Sequence, residues 1–310
     1  MSASPACVLV SGGTGFIGGH LVRRLLERGE KVCVWTRDAG RAAQRLGTGV
    51  RIVTRLEELD SATRIDRIVN LAGAPIMGRP WTRGRRATLL SSRIDPTNAL
   101  VALVARLTSA PRLFVSASAI GYYGVRGDEL VDEEGHCTQD FQSQLCRQWE
   151  AAARACEEHG TRVVILRIGV VLGADGGALP QLALPVRFGL GAVLGSGRQW
   201  ISWIHIEDLV SLFEFAMQGP DLAGAFNAVS PEPVPQSQLQ RALADTLHRP
   251  LWLRVPAWAL RASLGEMAQL LVDGQRVVPR RASGLGFEFG HPQLRAALRQ
   301  ILQRTSRMPG

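Results

Sequence analysis

Three glycines, Gly12, Gly15 and Gly18, recur at every third position in Ser11-Gly12-Gly13-Thr14-Gly15-Phe16-Ile17-Gly18. They follow a short apolar run at residues 7–11 and open a helical pattern over 16–28, where Ile17, Leu21, Val22 and Leu25 share one face. A strand that turns on glycines into a helix presents free backbone N–H groups and the positive end of a helix dipole, which together attract phosphate. The first glycine makes the tight turn, the second admits a pyrophosphate close to the backbone, and the third lets helix and strand pack. The predicted chemistry is dinucleotide binding by Gly12, Thr14, Gly15, Phe16, Ile17 and Gly18.

The second strand, residues 31–36, leads into Trp35-Thr36-Arg37-Asp38. An acidic residue here accepts from a ribose 2′-hydroxyl and selects NAD, whereas a basic one meets the 2′-phosphate of NADP. Arg37 can pair with that phosphate and Thr36 can donate to it. NADP(H) is the predicted cofactor, and Asp38 keeps NAD(H) open as the alternative.

The elements that position these residues alternate. Further strands are expected at 50–54, 67–71, 112–116 and 162–171, and helices at 83–106, interrupted by Pro96, and at 144–158. Strands separated by helical crossovers predict an α/β fold, a Rossmann doubly wound parallel sheet with a small C-terminal substrate-binding lobe. Residues 5–172 are read as the dinucleotide-binding domain and 173–305 as the lobe, with 206–229 returning to the Rossmann core. Within the lobe, helices are expected at 206–217, 236–248, 257–273 and 292–302, a strand at 224–229, and an extended segment at 276–289.

The loop form G-x-x-G-F-I-G, with Asn70-Leu71-Ala72-Gly73 after the fourth strand, resembles the extended short-chain dehydrogenase/reductase superfamily. The strings NLAGAPI (70–76), SASAIGYYG (116–124), LGSGRQWISWIHIED (194–208) and GQRVVPRR (274–281) narrow the resemblance. They are similar to the atypical NAD-dependent epimerase/dehydratase subgroup described as sugar-nucleotide epimerase-like proteins. The resemblance spans residues 7–302. It implies the fold and an NADP(H) site but no substrate. It adds Leu71, Ala72, Gly73, Thr88, Arg93 and Val170 to the cofactor-contacting residues, with Thr88 read as sharing the helix face of Arg93.

Such reductases use a serine and a Tyr-x-x-x-Lys pair, in which the lysine lowers the tyrosine pKa. The matching positions here hold Gln142 and Cys146, and the chain's only lysine, Lys31, begins the second strand. The substitutes are Ser116 and Ser118 after the fifth strand, followed by Tyr122 and Tyr123, the only two tyrosines. Either tyrosine could serve as acid or base if Arg93 or Arg167 lies nearby, or both could simply pack against the lid. The resemblance places Trp200, Trp203 and His205 at the substrate pocket. His205 and Asp208, three residues apart, could bond each other as a latch. Arg187 and Arg198 could meet an anionic substrate or merely solvent.

Bulk composition excludes little but helps. The net charge of +9 has no block of five or more basic residues, which argues against nucleic acid. No apolar run reaches a membrane span, and no signal sequence is recognised, so no membrane partner is expected and the cytoplasm is the expected compartment. Five cysteines at no zinc spacing read as reduced, mostly buried thiols, with no metal site. A homodimer through the 144–158 helix is possible by fold analogy. The functional expectation is an oxidoreductase or epimerase acting on an unidentified carbonyl or nucleotide-sugar-like compound. The alternative is a non-catalytic NADP(H)-binding protein that senses redox state or regulates a partner.

Overall fold

A computed structural model describes residues 7–219 and 221–307; the first two residues of the predicted 5–172 unit lie outside this range. Seven strands form the central sheet: β1 (Cys7–Ser11), β2 (Lys31–Trp35), β3 (Val50–Val53), β4 (Arg67–Asn70), β5 (Leu113–Ala119), β6 (Arg162–Ile168) and β7 (Gly224–Ala228). Their spatial order is β7-β6-β5-β4-β1-β2-β3, and every pairing is parallel. The strand order reverses between β1 and β4, which opens a crevice at the carboxyl ends of these two strands. Helices cover both faces, so the inner strands are apolar runs such as Val163 to Leu166, almost wholly buried.

The helices that matter for the site are α1 (Phe16–Glu27), α2 (Ala39–Leu46), α3 (Arg83–Arg106), α4 (Phe141–Arg154), α5 (Leu179–Arg187) and α6 (Ile206–Gln218). Beyond them lie α7 (Gln236–Thr246), α8 (Ala257–Leu264) and the C-terminal α9 (Leu294–Arg307). Helix α6 packs beside α1 in one core, and β7 extends the sheet beyond β6. A second core joins α5, α7 and α9 in the lobe.

Several boundaries differ from the sequence expectation. Helix α3 runs unbroken through Pro96. Buried Thr97 stitches that turn, donating to the Arg93 carbonyl at 2.6 Å and accepting from Asn70 Nδ2 at 2.8 Å. The expected 257–273 helix stops at Gly265, whose φ of 59° cannot continue a helix, and resumes as shorter turns. The expected extended segment 276–289 is a short strand, Arg276–Val277, followed by a helix at Arg280–Gly284. Helix α2 lies in a stretch with no predicted element.

Candidate functional site

The glycine loop joins β1 to α1 at the crevice. Gly12 has φ 68°, and a Cβ on it would sit 2.6 Å from the Leu71 carbonyl oxygen. Gly18 packs against the Gly12 and Gly13 backbone, the close helix–strand approach its position predicts. Exposed Gly15 is the helix N-cap and supplies no side-chain cap, so the first N–H groups of α1 face outward without a side-chain acceptor. The first turn of α1 carries no acidic residue. These are the features of a phosphate cradle, and the residues fit a dinucleotide.

Phe16 also reaches into the lobe. A Cβ on Gly173, Gly176 or Gly177 would collide with its ring. The same loop is pinned one turn along α1, where His20 Nε2 meets Asp175 at 3.0 Å. The lobe's first loop therefore grips the first residue of the phosphate-binding helix.

Just beyond the end of β2, the structure separates Arg37 from Asp38. Asp38 is the N-cap of α2 and accepts from the Arg41 N–H at 2.9 Å. Thr36 Oγ1 accepts from the Asp38 N–H at 3.3 Å, which leaves its own proton available to donate. Arg37 is exposed, and no carboxylate among the described residues pairs with it. Asp38, a possible ribose ligand from sequence, is thus spent on a helix cap the sequence reading did not foresee.

Beyond β4, Asn70 is fully buried and accepts from Ser11 Oγ at 2.6 Å, tying the two strands that flank the crevice. Leu71, Ala72 and Gly73 follow on the crevice side. Arg93 is neither a surface arginine nor free: it donates to the Ala74 carbonyl at 3.1 Å and the Leu89 carbonyl at 3.0 Å, and lies 5.2 Å from the Trp149 ring. Burial lowers its pKa. Thr88 does not share its face. Five residues along a helix is about 140° of rotation, and the Thr88 hydroxyl is turned back onto the Gly84 carbonyl. Val170 lies just past the end of β6, in the short strand Val170–Leu172 that pairs with Trp203–His205.

The four residues proposed for acid–base work separate sharply. Ser116 is fully buried and donates to the Ala117 carbonyl. Ser118 donates to Glu150 Oε1 at 2.8 Å. Glu150 also receives Arg167 in a two-pronged pair, both contacts 2.9 Å, with each side chain 5% exposed. Arg167 donates onward to the Tyr123 hydroxyl at 2.9 Å, which donates to Asn227 Oδ1 at 2.6 Å. Burial pulls the Arg167 pKa down, but the Glu150 contacts reverse this and hold it above the ordinary value. Burial pushes Tyr123 up to about 12. Ser118 and Tyr123 are therefore parts of a buried polar network, their hydroxyls already engaged by Glu150, Arg167 and Asn227. Tyr122 alone stays partly exposed, with the Arg167 guanidinium 3.5 Å from its ring centre. Burial raises the Tyr122 pKa, and Arg167 offsets only part of that rise.

Sequence reasoning noted Arg167 but missed Glu150, Asn227 and Glu133, whose Oε1 accepts from the Asn227 N–H at 2.9 Å. A signal existed: an arginine inside the apolar run of β6 demands a buried carboxylate. Where the tyrosine and lysine of the reductase pair would stand, Gln142 and Cys146 pack against Gly121. Cys146 is buried, and that burial pushes its thiol up to about 12, away from the reactive thiolate form.

The tryptophan–histidine cluster is a brace. Trp203 is fully buried and donates to the Glu232 carbonyl at 2.9 Å, which removes it from any pocket wall. Trp200 is half-buried, donates to Asp128 at 2.7 Å and lies under Arg276. His205 and Asp208 do not bond each other. His205 caps α6, accepting from the Glu207 N–H at 3.0 Å, while its other nitrogen meets Gln300 Oε1 at 3.0 Å. Asp208 accepts from the Gly290 and His291 N–H groups at 2.9 and 3.0 Å. The two residues latch the C-terminal segment separately. His205, Glu207 and His291 come close enough to share a cation, yet both His205 nitrogens are already engaged. Arg198 and Arg187 are exposed.

Comparison with known proteins matches residues 8–229 to the NAD dependent epimerase/dehydratase family and residues 255–301 to a domain of unknown function, DUF1731. The chain is 39% identical over 306 residues to the chloroplastic epimerase family protein SDR39U1 homolog of Arabidopsis thaliana, covering 97% of this chain and 88% of that one. It is 37% identical to the epimerase family protein YfhF of Bacillus subtilis, covering 95% and 97%. Among solved structures, human epimerase family protein SDR39U1 with NADPH superposes with a TM-score of 0.86 at 33% identity, covering 97% of this chain and 100% of that one.

Proposed function

The chain belongs to the NAD dependent epimerase/dehydratase family, and from that premise we propose that it binds NADP(H) and reduces a carbonyl compound. Support for the cofactor comes from Arg37, unpaired beyond β2 while Asp38 is withdrawn into the α2 cap, and from the human relative solved with NADPH. The observation that carries the reaction is that Tyr122 is the one candidate acid at the carboxyl edge of β5 not consumed by the buried network. When bound, the dinucleotide supplies the hydride.

Tyr122 donates its hydroxyl to the carbonyl oxygen and passes its proton to that oxygen as the new C–H bond forms. Arg167, over the ring face, stabilises the phenolate left behind. Burial raises the Tyr122 pKa and Arg167 offsets part of that rise, so the phenol enters the reaction protonated, the form that donates. The five free thiols suit a reducing compartment such as the cytoplasm.

A second reading, a redox-sensing binder without turnover, is favoured by the locking of Ser118, Tyr123 and Cys146 into structural roles. The separating experiment is NADPH oxidation across a panel of aldehydes and ketones, with Tyr122→Phe beside the parent chain. The reductase reading expects turnover in the parent, a loss of kcat of about 10²–10⁴-fold in the variant, and unchanged NADPH affinity. Turnover that survives Tyr122→Phe removes the tyrosine from the mechanism. NADPH binding without turnover on any carbonyl supports the sensor.

A further inference from the structure

Helix α5 is amphipathic in the wrong sense for a water-facing helix. Its inner face buries Leu179, Ala183 and Val186 in the lobe core, yet its outer face carries Leu184, 57% exposed, and leads into Phe188, 75% exposed. These two are one helical turn apart. The chain then folds back, Leu190 N–H donating to the Pro185 carbonyl at 2.8 Å, and presents Leu190 in the open. Trp252, 69% exposed, joins them by donating its indole N–H to the Gly189 carbonyl at 3.3 Å. Leu184, Phe188, Leu190 and Trp252 thus form one protruding apolar ridge. The lobe's own core needs none of them.

The surroundings of the ridge are cationic. A concavity of about 690 Å³ beside it is lined by Arg187, His248, Arg295 and Arg299, with Asp245 the one carboxylate. Asp245 is matched by Arg295 at 3.1 Å. Arg249 and Arg254 flank Trp252, and Arg254 shares its exposed face of the strand Leu251–Val255. The three stretches that build this face, 179–191, 245–256 and 290–303, contain one acidic residue, Asp245. Helix α9 repeats the arrangement, burying Leu294, Ala297 and Leu298 and turning Arg295 and Arg299 outward.

We infer that this face is a peripheral docking surface for an anionic lipid bilayer, with the Leu184–Phe188–Leu190–Trp252 ridge entering the headgroup boundary and the surrounding arginines meeting lipid phosphates. The charge match selects the occupant. Apolar tips within a ring of cations, with the lining carboxylate Asp245 matched by Arg295, are complementary to a surface that is apolar below and anionic above. Two aliphatic tips among the aromatics disfavour nucleic acid, which stacks on rings. No helix among the described residues is long and apolar enough to cross a membrane, so the attachment is interfacial.

The test uses the full chain and co-sedimentation with vesicles of phosphatidylcholine alone or mixed with phosphatidylglycerol, at low and high salt. The expected result is binding to the mixed vesicles, loss of binding at high salt, and little binding to phosphatidylcholine. Phe188→Ser with Trp252→Ser lowers partitioning by more than about tenfold, with NADPH affinity unchanged. Arg187→Glu with Arg299→Glu, which leaves the apolar ridge intact, also weakens it by at least roughly fivefold per site. Equal binding to neutral and anionic vesicles overturns the inference, as does no binding to either. So does a dimer in sedimentation velocity that the Phe188/Trp252 variant abolishes, or displacement from vesicles by a single-stranded oligonucleotide.

Discussion

Removing the Glu150 carboxylate tests whether the polar network under β5 is architecture. In Glu150→Ala, Arg167 loses both contacts, each 2.9 Å, and Ser118 loses its 2.8 Å acceptor. Both charged side chains are only 5% exposed, so water cannot replace the lost partner cheaply. Breaking such a pair from one side costs about 3–5 kcal/mol, because a buried guanidinium is left unmatched. A typical domain has about 5–15 kcal/mol in total, so the variant lies near the edge of folding. At about 2–4 °C per kcal/mol, the melting temperature falls by roughly 6–20 °C. The decisive comparison is the double variant Glu150→Leu with Arg167→Met, which removes both charges and fills the space. It recovers most of the loss, since an apolar replacement of a buried pair is often neutral. Urea unfolding of the parent, Glu150→Leu, Arg167→Met and the double variant closes a cycle, and the coupling exceeds about 1 kcal/mol. A cost below about 1 kcal/mol for Glu150→Ala, or a double variant no better than the sum of its parts, would refute the reasoning.

Arg37→Ala weakens NADPH by about 1.5–3 kcal/mol, the worth of a charged hydrogen bond, and leaves NADH unchanged. Asp38→Ala costs about 1 kcal/mol of stability from the lost cap and does not shift the NADPH-to-NADH ratio, as competitive titration of both variants will show. The two tyrosines titrate apart: with Tyr122→Phe in hand, ultraviolet difference spectra show Tyr123 ionising near 12. Because its folded pKa is raised, its contribution to stability is complete below about 10 and is lost as pH climbs through 12; a Tyr123 midpoint near 10 in the folded chain contradicts its burial. Gly176→Ala drives a methyl into the Phe16 ring and costs about 1–3 kcal/mol, with Phe16→Leu restoring part of it in thermal melts.

The doubly wound order was legible because glycine spacing and apolar strands are local signals. Gly12, Gly15 and Gly18 announce the cradle without reference to any distant residue. The identity of what Asp38 does was not legible, since it depends on a helix beginning at Ala39 that is only eight residues long and buries a single side chain, Ala42. The same limit explains Ser118 and Tyr123. Their types suggested chemistry, but their fate is decided by Glu150 and Asn227, which lie 32 and 104 residues away in the chain. His205 and Asp208 were read as bonding each other, and they do not, because partners for them, Gln300 and the 290–291 backbone, arrive from the far end of the sequence. Trp203 shows a related trap: a large aromatic in a segment associated with pockets is first of all a large core residue.

The seat of Phe16 among Gly173, Gly176 and Gly177 bears on how this architecture can be recombined. The aromatic ring belongs to the nucleotide half and its socket to the other, so neither half carries a complete surface by itself. Grafting a foreign lobe after residue 172 would succeed only if the donor brought an equally hollow loop, and cutting the chain there would leave the ring uncovered at the mouth of the cradle. Phenylalanine and the glycine triplet form a single packing unit split across more than 150 positions. A substitution on either side of that joint has to be matched on the other.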